Sequence, residues 1–379
     1  MPKFKIAFIG QKGLPATYGG VEKHVEELGV RLAQRGHRII AYSRKNYNDF
    51  SGNYRGIKVI KLPAISEKHT EMISHTLLSC LDVLDKDIDI VHIQSVDPSI
   101  ISFLPRIKTK VVATSHGQAY RREKWGKVAK AFSQIAEKVY CRIPCARIAV
   151  SKTLKKFYET KYGCYVHYIP NGVNLPFIKD LPLSKLFLID EKEVHLEKNS
   201  YILYVGRVLP TKGVNILIEA WNKLIKSRTL NSNIKLAIAG GSSYTDNYVN
   251  NLKQRTGDSV FWLDYRYGEE LEWLYANAYC VVIPSEIEGL ALTLLEAMSY
   301  GKCIIYSDIH ENDEVANGVG IPFQNKNTDD LAKKILLAFH SSNMLQEFGE
   351  RARERIKKYY NWEDIVCKTE TIYDSLFRI

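Results

Sequence analysis

The sequence predicts two doubly wound α/β domains, each a mostly parallel sheet covered by helices. Three observations predict it. Short runs rich in Ile and Val alternate with helix-length segments, as strands buried on both faces and joined by crossover helices should. The alternation breaks once, in a stretch between 171 and 200 that carries Pro176, Pro182 and many charges, and then restarts. The length of 379 residues exceeds what one core usually holds and suits two domains.

In the first half, strands are expected over 5–9, 38–42, 58–61, 88–93, 110–115, 147–150 and 166–169. Helices are expected over 20–35, 69–84 and 127–140, with Gly36 stopping the first. In the second half, strands fall at 201–205, 234–239, 260–263, 280–284 and 302–306, and helices at 213–226, 268–276, 292–300 and 328–339. The domains are placed at 1–175 and 176–355, with 171–200 as the link. The segment 356–379 is expected to be a helix that packs back on the N-terminal domain. Ligands of such sheets bind beyond the carboxyl ends of the strands, so a cleft between two facing domains is the expected site.

Apolar residues make up 45% and charged residues 25%, a soluble globular composition. The opening MPKFKIAFIG reads as a first buried strand rather than a signal peptide. No apolar run approaches the roughly 18 residues that would span a bilayer. The expected location is the cytoplasm, with peripheral contact on the inner face of the membrane. Seven scattered cysteines suit a reducing compartment. Cys141, Cys145, Cys164 and His167 could be drawn as zinc ligands, but the pairs lack tight loops and Cys145 opens the apolar CARIAV, so buried thiols are preferred.

The net charge is +11, and eleven Lys or Arg lie between Arg121 and Lys156 against only Glu123 and Glu137. The segment is either a solvated helical face or a contact for anionic lipid head groups or a phosphorylated acceptor. Nucleic acid is not expected, because the segment matches no recognition motif and offers no stacking platform.

Two strings carry the candidate chemistry. In YVGRVLPTKGV, 204–214, a strand ends at Gly206 and places Arg207 and Lys212 in the loop that opens a helix. A guanidinium fork, an ammonium and free backbone amides together suit a diphosphate; the alternative is two ordinary loop cations. In PSEIEGLALTLLEAMSYG, 284–301, Glu288 precedes the turn into a helix and Glu296 lies eight residues on, in its second turn. Gly289, Leu290 and Ala291 would present helix-start amides to a ligand. Two carboxylates at different depths suit a ligand rich in hydroxyls.

These two strings resemble the large family 4 of retaining glycosyltransferases with the GT-B fold. The resemblance extends through GLPATYGGVEKHVEEL (13–28), VHIQS (91–95), TSHG (114–117), SKTLKKFY (151–158) and IPNGV (169–173), in family order. It implies that Arg207 and Lys212 neutralise the donor diphosphate, Glu296 binds the ribose and Glu288 the transferred sugar. The amides of Gly289, Leu290 and Ala291 would touch sugar or phosphate. The loop at Gly19 and Gly20 would approach donor phosphate and acceptor, and His116 the reacting sugar. The base would lie near Leu263–Arg266. No metal or other cofactor is implied beyond the nucleoside-diphosphate sugar itself, and the partner is a glycan or lipid-linked acceptor. The stretch GQKGLPATYGGVE (10–22) is similar to a bacterial subgroup that includes rhamnosyltransferases of surface-polysaccharide assembly.

Gly10, Gly13, Gly19 and Gly20 do not follow G-x-G-x-x-G, and the second strand ends without a ribose-binding acid, which disfavours a dinucleotide site. Asp85, Asp87 and Asp89 form D-x-D triplets that could hold a metal, but they precede a strand instead of leaving it. His24 and His92 read as packing residues, whereas His116 follows a strand end. A nucleotide-sugar epimerase, a glycogen-type phosphorylase and a non-catalytic binder of a polymer precursor remain as alternatives.

Overall fold

A computed structural model describes residues 3–65, 67, 70–118, 126–177, 181–189, 192–230, 233–242 and 245–378. The chain forms two compact units, one of Met1–Gly172 with Trp362–Ile379 and one of Val173–Asn361.

In chain order the first unit contains β1 (Lys5–Ile9), α1 (Gly20–Gln34), β2 (Arg38–Arg44), β3 (Gly52–Tyr54), β4 (Ile57–Leu62), α2 (Glu71–Leu84), β5 (Ile90–Gln94), a 3-10 turn (Asp97–Ile101), α3 (Phe103–Arg106), β6 (Lys110–Ser115), α4 (Lys127–Arg142), β7 (Ala146–Ala149), α5 (Lys152–Tyr162) and β8 (His167–Tyr168). The sheet order is β3-β4-β2-β1-β5-β6-β7-β8. Every pairing is parallel except that of β3 with β4. The strand order reverses between β1 and β5, the switch point where such sheets bind ligands. β5 is buried along its whole length, which suits Ile90, Val91 and Ile93 and obliges its polar His92 and Gln94 to find hydrogen-bond partners. Local signals set helix ends. The Ser151 hydroxyl accepts from the Leu154 amide at the start of α5, and Gly163 ends it in a left-handed conformation, φ 64°.

The second unit contains β9 (Ser184–Ile189), β10 (Lys192–Glu197), β11 (Tyr201–Val205), a 3-10 turn (Pro210–Lys212), α6 (Val214–Lys226), β12 (Lys235–Ala239), α7 (Asp246–Lys253), β13 (Val260–Trp262), α8 (Gly268–Asn277), β14 (Cys280–Ile283), α9 (Leu292–Ser299), β15 (Ile304–Ser307), α10 (His310–Ala316), β16 (Ile321–Phe323), α11 (Thr328–Phe339) and α12 (Ser342–Tyr359). Its main sheet is wholly parallel, in the order β13-β12-β11-β14-β15-β16. The reversal lies between β11 and β14, so the loops after these two strands flank the switch point. Both expected doubly wound sheets are therefore present.

The stretch read as a link, 171–200, holds an antiparallel hairpin of β9 and β10. Its inward face is apolar: Phe187 and Leu196 are buried, and Phe187 packs on Trp273 with centroids 5.8 Å apart. Trp273 Nε1 donates to the Pro182 carbonyl and Arg266 to that of Leu188, at 2.8 and 3.0 Å. The period-2 signal was masked by outward-facing Leu186 and Leu188, which made the segment look irregular.

After α12 the chain returns to the first unit as α13 (Trp362–Ser375). Ile365, Val366, Ile372 and Tyr373 join the core under α1, and a Cβ on Gly172 would lie 2.5 Å from the Trp362 ring. Arg35 pairs with Glu363 and Glu370, and His37 Nε2 lies 2.9 Å from Glu370 Oε1.

Asp89 accepts the Lys5 amide at 2.7 Å and Asp87 pairs with the Lys5 ammonium, so these carboxylates brace the amino end of β1. The described residues hold no cluster of three or more His, Cys, Asp or Glu able to bind a metal. Among them, no helix is long and apolar enough to cross a membrane. The 121–125 part of the basic segment lies outside the described residues.

Candidate active site

The second unit brings four of the expected residues to the carboxyl ends of β11 and β14. β11 ends at Val205, and Gly206, φ 145°, turns the chain away from the sheet. Arg207 follows and Lys212 closes the 3-10 turn; Gly213, φ 67°, then starts α6. A side chain on Gly213 would meet the Pro284 carbonyl oxygen at 2.0 Å, and the Glu286 amide donates to the Thr211 carbonyl at 2.9 Å. These close backbone approaches lock the β11 loop to the β14 loop, which needs glycine at 213.

The result is a direct contact between residues 76 apart in the chain: Lys212 Nζ lies 2.5 Å from Glu288 Oε1. Both side chains are largely withdrawn from water, at 22% and 10% exposure. Arg207 is half-buried, and among the described residues none pairs with its guanidinium. A half-buried cation without a counter-ion is a natural seat for an anion.

Glu296 sits in the second turn of α9, as the spacing from Glu288 required. Its Oε2 accepts the Tyr275 hydroxyl at 2.9 Å. Burial holds the Tyr275 phenol well above the usual tyrosine range, and the Glu296 carboxylate pushes it further the same way. Tyr204 behaves alike: burial raises it and Glu288 adds to the rise, while Arg207 opposes it. Tyr204 donates to the Arg207 carbonyl at 2.8 Å. Two neutral phenols thus lie between the two carboxylates. Neither tyrosine was expected from the sequence; the aromatic ends of their strings carry no spacing signal that points to a glutamate on another element.

Gly289, Leu290 and Ala291 form the turn into α9, whose N-cap is Ala291. Leu290 and Ala291 bury their side chains, so only their backbone can face a ligand. Leu263 is fully buried as well, and its carbonyl accepts from Arg266 Nε at 2.5 Å. The exposed groups beside it are Tyr265 and Tyr267, whose rings stack with centroids 6.2 Å apart. Tyr265 also donates to the carbonyls of Gly241 and Ser242, at 3.1 and 3.0 Å.

In the first unit, Gly19, φ 104°, is the N-cap of α1, and Gly20 is its first residue. The preceding loop is held by carboxylates of α1 itself: Glu22 accepts the Lys12 amide at 2.8 Å and Glu26 that of Ala16 at 2.7 Å. The Tyr47 hydroxyl receives the amides of Thr17 and Tyr18 at 2.9 and 3.0 Å. This accounts for acidic side chains on the buried face of α1.

His116 follows β6, and its Nε2 is 2.8 Å from Gln94 Oε1 at the end of β5. With a carbonyl oxygen facing it, Nε2 carries the proton and Nδ1 is left as an acceptor. His24 meets the His116 ring edge-on, with centroids 4.9 Å apart, which places His116 beside the first turns of α1. Burial lowers His24 to about 4 and His92 to about 3, and it holds His116 well below the usual range. All three are neutral at pH 7. His92 is a core residue bonded to Tyr373 and Thr114, each at 2.7 Å.

Residues 18–177 match the sequence model described as Glycosyltransferase Family 4, and residues 187–355 that of Glycosyl transferases group 1. An uncharacterized glycosyltransferase of Methanocaldococcus jannaschii is 24% identical over 97% of this chain and 97% of its own length. The O-antigen chain mannosyltransferase B of Escherichia coli is 28% identical over 56% of this chain and 52% of its own length. Among solved structures, sucrose-phosphate synthase from Thermosynechococcus elongatus superposes with a TM-score of 0.82 at 21% identity, over 99% of each chain. Anabaena HepE in complex with UDP-glucose gives 0.77 at 16% identity, over 98% of this chain and 100% of that one. With family models matching both units and GT-B neighbours covering almost its whole length, the chain belongs to the GT-B glycosyltransferases of the family 4 and group 1 type.

Proposed function

We propose that the protein transfers a sugar, with retention of configuration, from a nucleoside-diphosphate sugar to a glycan or lipid-linked saccharide in surface-polysaccharide or glycolipid synthesis. The observation that carries this reading is the gathering of Arg207, Lys212, Glu288 and Glu296 at one switch point of the second unit. Arg207 and Lys212 bind the diphosphate, aided by the amides of Gly289, Leu290 and Ala291. Glu296, oriented by Tyr275, accepts the ribose hydroxyls. Glu288 accepts hydroxyls of the transferred sugar. Gly19, Gly20 and His116 supply the acceptor side, with the neutral His116 offering Nδ1 as an acceptor.

Cleavage of a sugar–phosphate bond leaves a diphosphate and an oxocarbenium-like sugar. Cations fixed on the leaving group act most strongly as that charge develops. The leaving phosphate can take the acceptor proton on the face from which the acceptor attacks, so Glu288 is not assigned as a nucleophile. Support for a surface-glycan acceptor comes from relatives named for O-antigen, poly(ribitol-phosphate) and lipopolysaccharide transfer. Support for a uridine donor comes from neighbours solved with UDP and UDP-glucose. Cytoplasmic work at the inner membrane face follows from that acceptor class.

The test is a thermal-shift screen of UDP-, GDP- and dTDP-sugars, followed by transfer of label from the donor that stabilises most. Stabilisation by a nucleotide without sugar release to any saccharide acceptor would instead favour a non-catalytic binder.

A further inference from the structure

We infer that Gln94 is the positioning residue of His116: its carboxamide oxygen fixes the imidazole with the proton on Nε2 and so presents Nδ1 to a substrate hydroxyl. The inference rests on the glycosyl transfer proposed above and gives its histidine a partner. Gln94 ends β5 and pairs in register with Thr114 of β6. His116 lies two residues past Thr114, so the strand period of two brings it to the same face of the sheet. That face carries a polar seam. His92 bridges Tyr373 and Thr114, and beside it Gln94 Oε1 meets His116 Nε2 at 2.8 Å. His24 of α1 closes on the His116 ring edge-on, with centroids 4.9 Å apart.

The two partners differ in what they can reach. Gln94 is fully buried, whereas His116 is partly exposed, and among the described residues none bonds to its Nδ1. His116 can therefore meet a substrate and Gln94 acts through it. The amino end of the Gln94 carboxamide is buried without a partner among the described residues. An unpaired buried donor is costly, and a methionine would fill the same space without that loss. Packing thus does not account for glutamine at this position, while the bond to His116 does. The backbone supports the placement. Ser95, φ 81°, turns the chain away straight after Gln94, and its amide donates to the Thr114 carbonyl at 2.8 Å.

A neutral imidazole has one donor nitrogen and one acceptor nitrogen, and either can carry the proton. Nδ1 accepts a hydroxyl hydrogen only while the proton stays on Nε2. A carbonyl oxygen in front of Nε2 enforces that arrangement. A carboxamide does so without adding charge. A carboxylate would favour the imidazolium, whose two nitrogens both donate. His24 and His92, the histidines beside the ring, are kept neutral by burial and add no charge of their own.

Heteronuclear NMR of protein labelled at the histidine nitrogens reads the tautomer directly, with His116 assigned by the signals lost in His116→Ala. The wild type should show the Nε2-protonated form. Gln94→Met should give a mixture of both forms, and Gln94→Glu should keep the proton on Nε2. In transfer assays Gln94→Met should lower kcat about tenfold to a hundredfold with little change in KM for the donor. Added to His116→Ala, it should cause no further loss. Thermal melts and calorimetric affinity for UDP check that fold and donor site are intact in each variant. An Nδ1-protonated wild type, an unchanged tautomer in folded Gln94→Met, or additive losses in the double variant would overturn the inference. Full turnover by His116→Ala would overturn the acceptor-side role of His116 itself. The tautomer readout needs no activity, and it separates that failure from a failure of Gln94 to hold the ring.

Discussion

Lys212 and Glu288 form an ion pair at the junction of the β11 and β14 loops, although one is assigned to the diphosphate and the other to the sugar. A bound diphosphate must therefore take Lys212 from Glu288, and the carboxylate it releases becomes available to sugar hydroxyls. Removing the charge of Glu288 leaves Lys212 without a counter-ion and should favour the diphosphate. Glu288→Gln is expected to lower turnover by orders of magnitude while tightening UDP about three- to tenfold. Lys212→Ala should weaken UDP by about tenfold or more. Calorimetry on both variants checks this. Weaker UDP binding by Glu288→Gln would show that the pair does not compete with the ligand.

Glu296 reads the ribose in this scheme, and Tyr275 holds it in place. Glu296→Gln should weaken UDP by roughly tenfold and leave inorganic pyrophosphate binding unchanged, because only UDP carries a ribose. Tyr275→Phe should weaken UDP a few-fold and cost about 1 kcal/mol of stability through the lost hydrogen bond. Equal loss of UDP and pyrophosphate in the Glu296 variant would move its role to the phosphates.

The parts of this site that could be read in the sequence are those set by neighbours in the chain. Arg207 and Lys212 lie between two glycines that must turn a strand into a helix, and Glu296 lies two helical turns into a segment that starts after Gly289. The parts that could not be read depend on strand order. The Lys212–Glu288 contact and the Tyr275–Glu296 bond join elements that become neighbours only once β11 pairs with β14. The same holds for the β9–β10 hairpin, which becomes intelligible only with Trp273 beneath Phe187. Leu263 shows a further limit: its position in the chain was correct for the end of β13, but its side chain points into the core while Tyr265 and Tyr267 face water.

His24 and His92 couple the first unit's stability to pH. Their folded values, about 4 and about 3, lie below the ordinary 6.5, chiefly through burial. Between pH 6.5 and these values the unfolded chain takes up protons that the folded chain refuses, so stability falls as pH drops through that window. The loss approaches roughly 3 kcal/mol for His24 and roughly 5 kcal/mol for His92 once pH is below each folded value. Urea melts from pH 7 to 4 should show this decline, and His92→Gln should make it shallower. An unchanged slope in that variant would remove His92 from the account.

Cationic neutralisation by Arg207 and Lys212 leaves little for a divalent ion to do, and Asp87 and Asp89 are committed to Lys5. Transfer activity is expected to survive EDTA with little change, and Asp87→Asn should retain most turnover. Loss of activity on chelation, restored by a divalent ion, would overturn this view of the leaving group.

Gly213 holds the two cation- and carboxylate-bearing loops at their working separation. Its φ of 67° and the 2.0 Å gap from a hypothetical Cβ to the Pro284 carbonyl leave no room for a side chain. Pro284 cannot retreat cheaply, because it continues β14 in the centre of the parallel sheet and its neighbour Glu286 is bonded to Thr211. Gly213→Ala should therefore cost roughly 2–4 kcal/mol and separate Lys212 from Glu288, with UDP affinity falling in parallel. Gly257→Ala is the control, since a Cβ there meets nothing within 4 Å and stability should hold or rise slightly. Melts and UDP titrations of the two variants decide the matter: a Gly213→Ala protein as stable as the control, binding UDP normally, would show that the loop junction is not what sets the site.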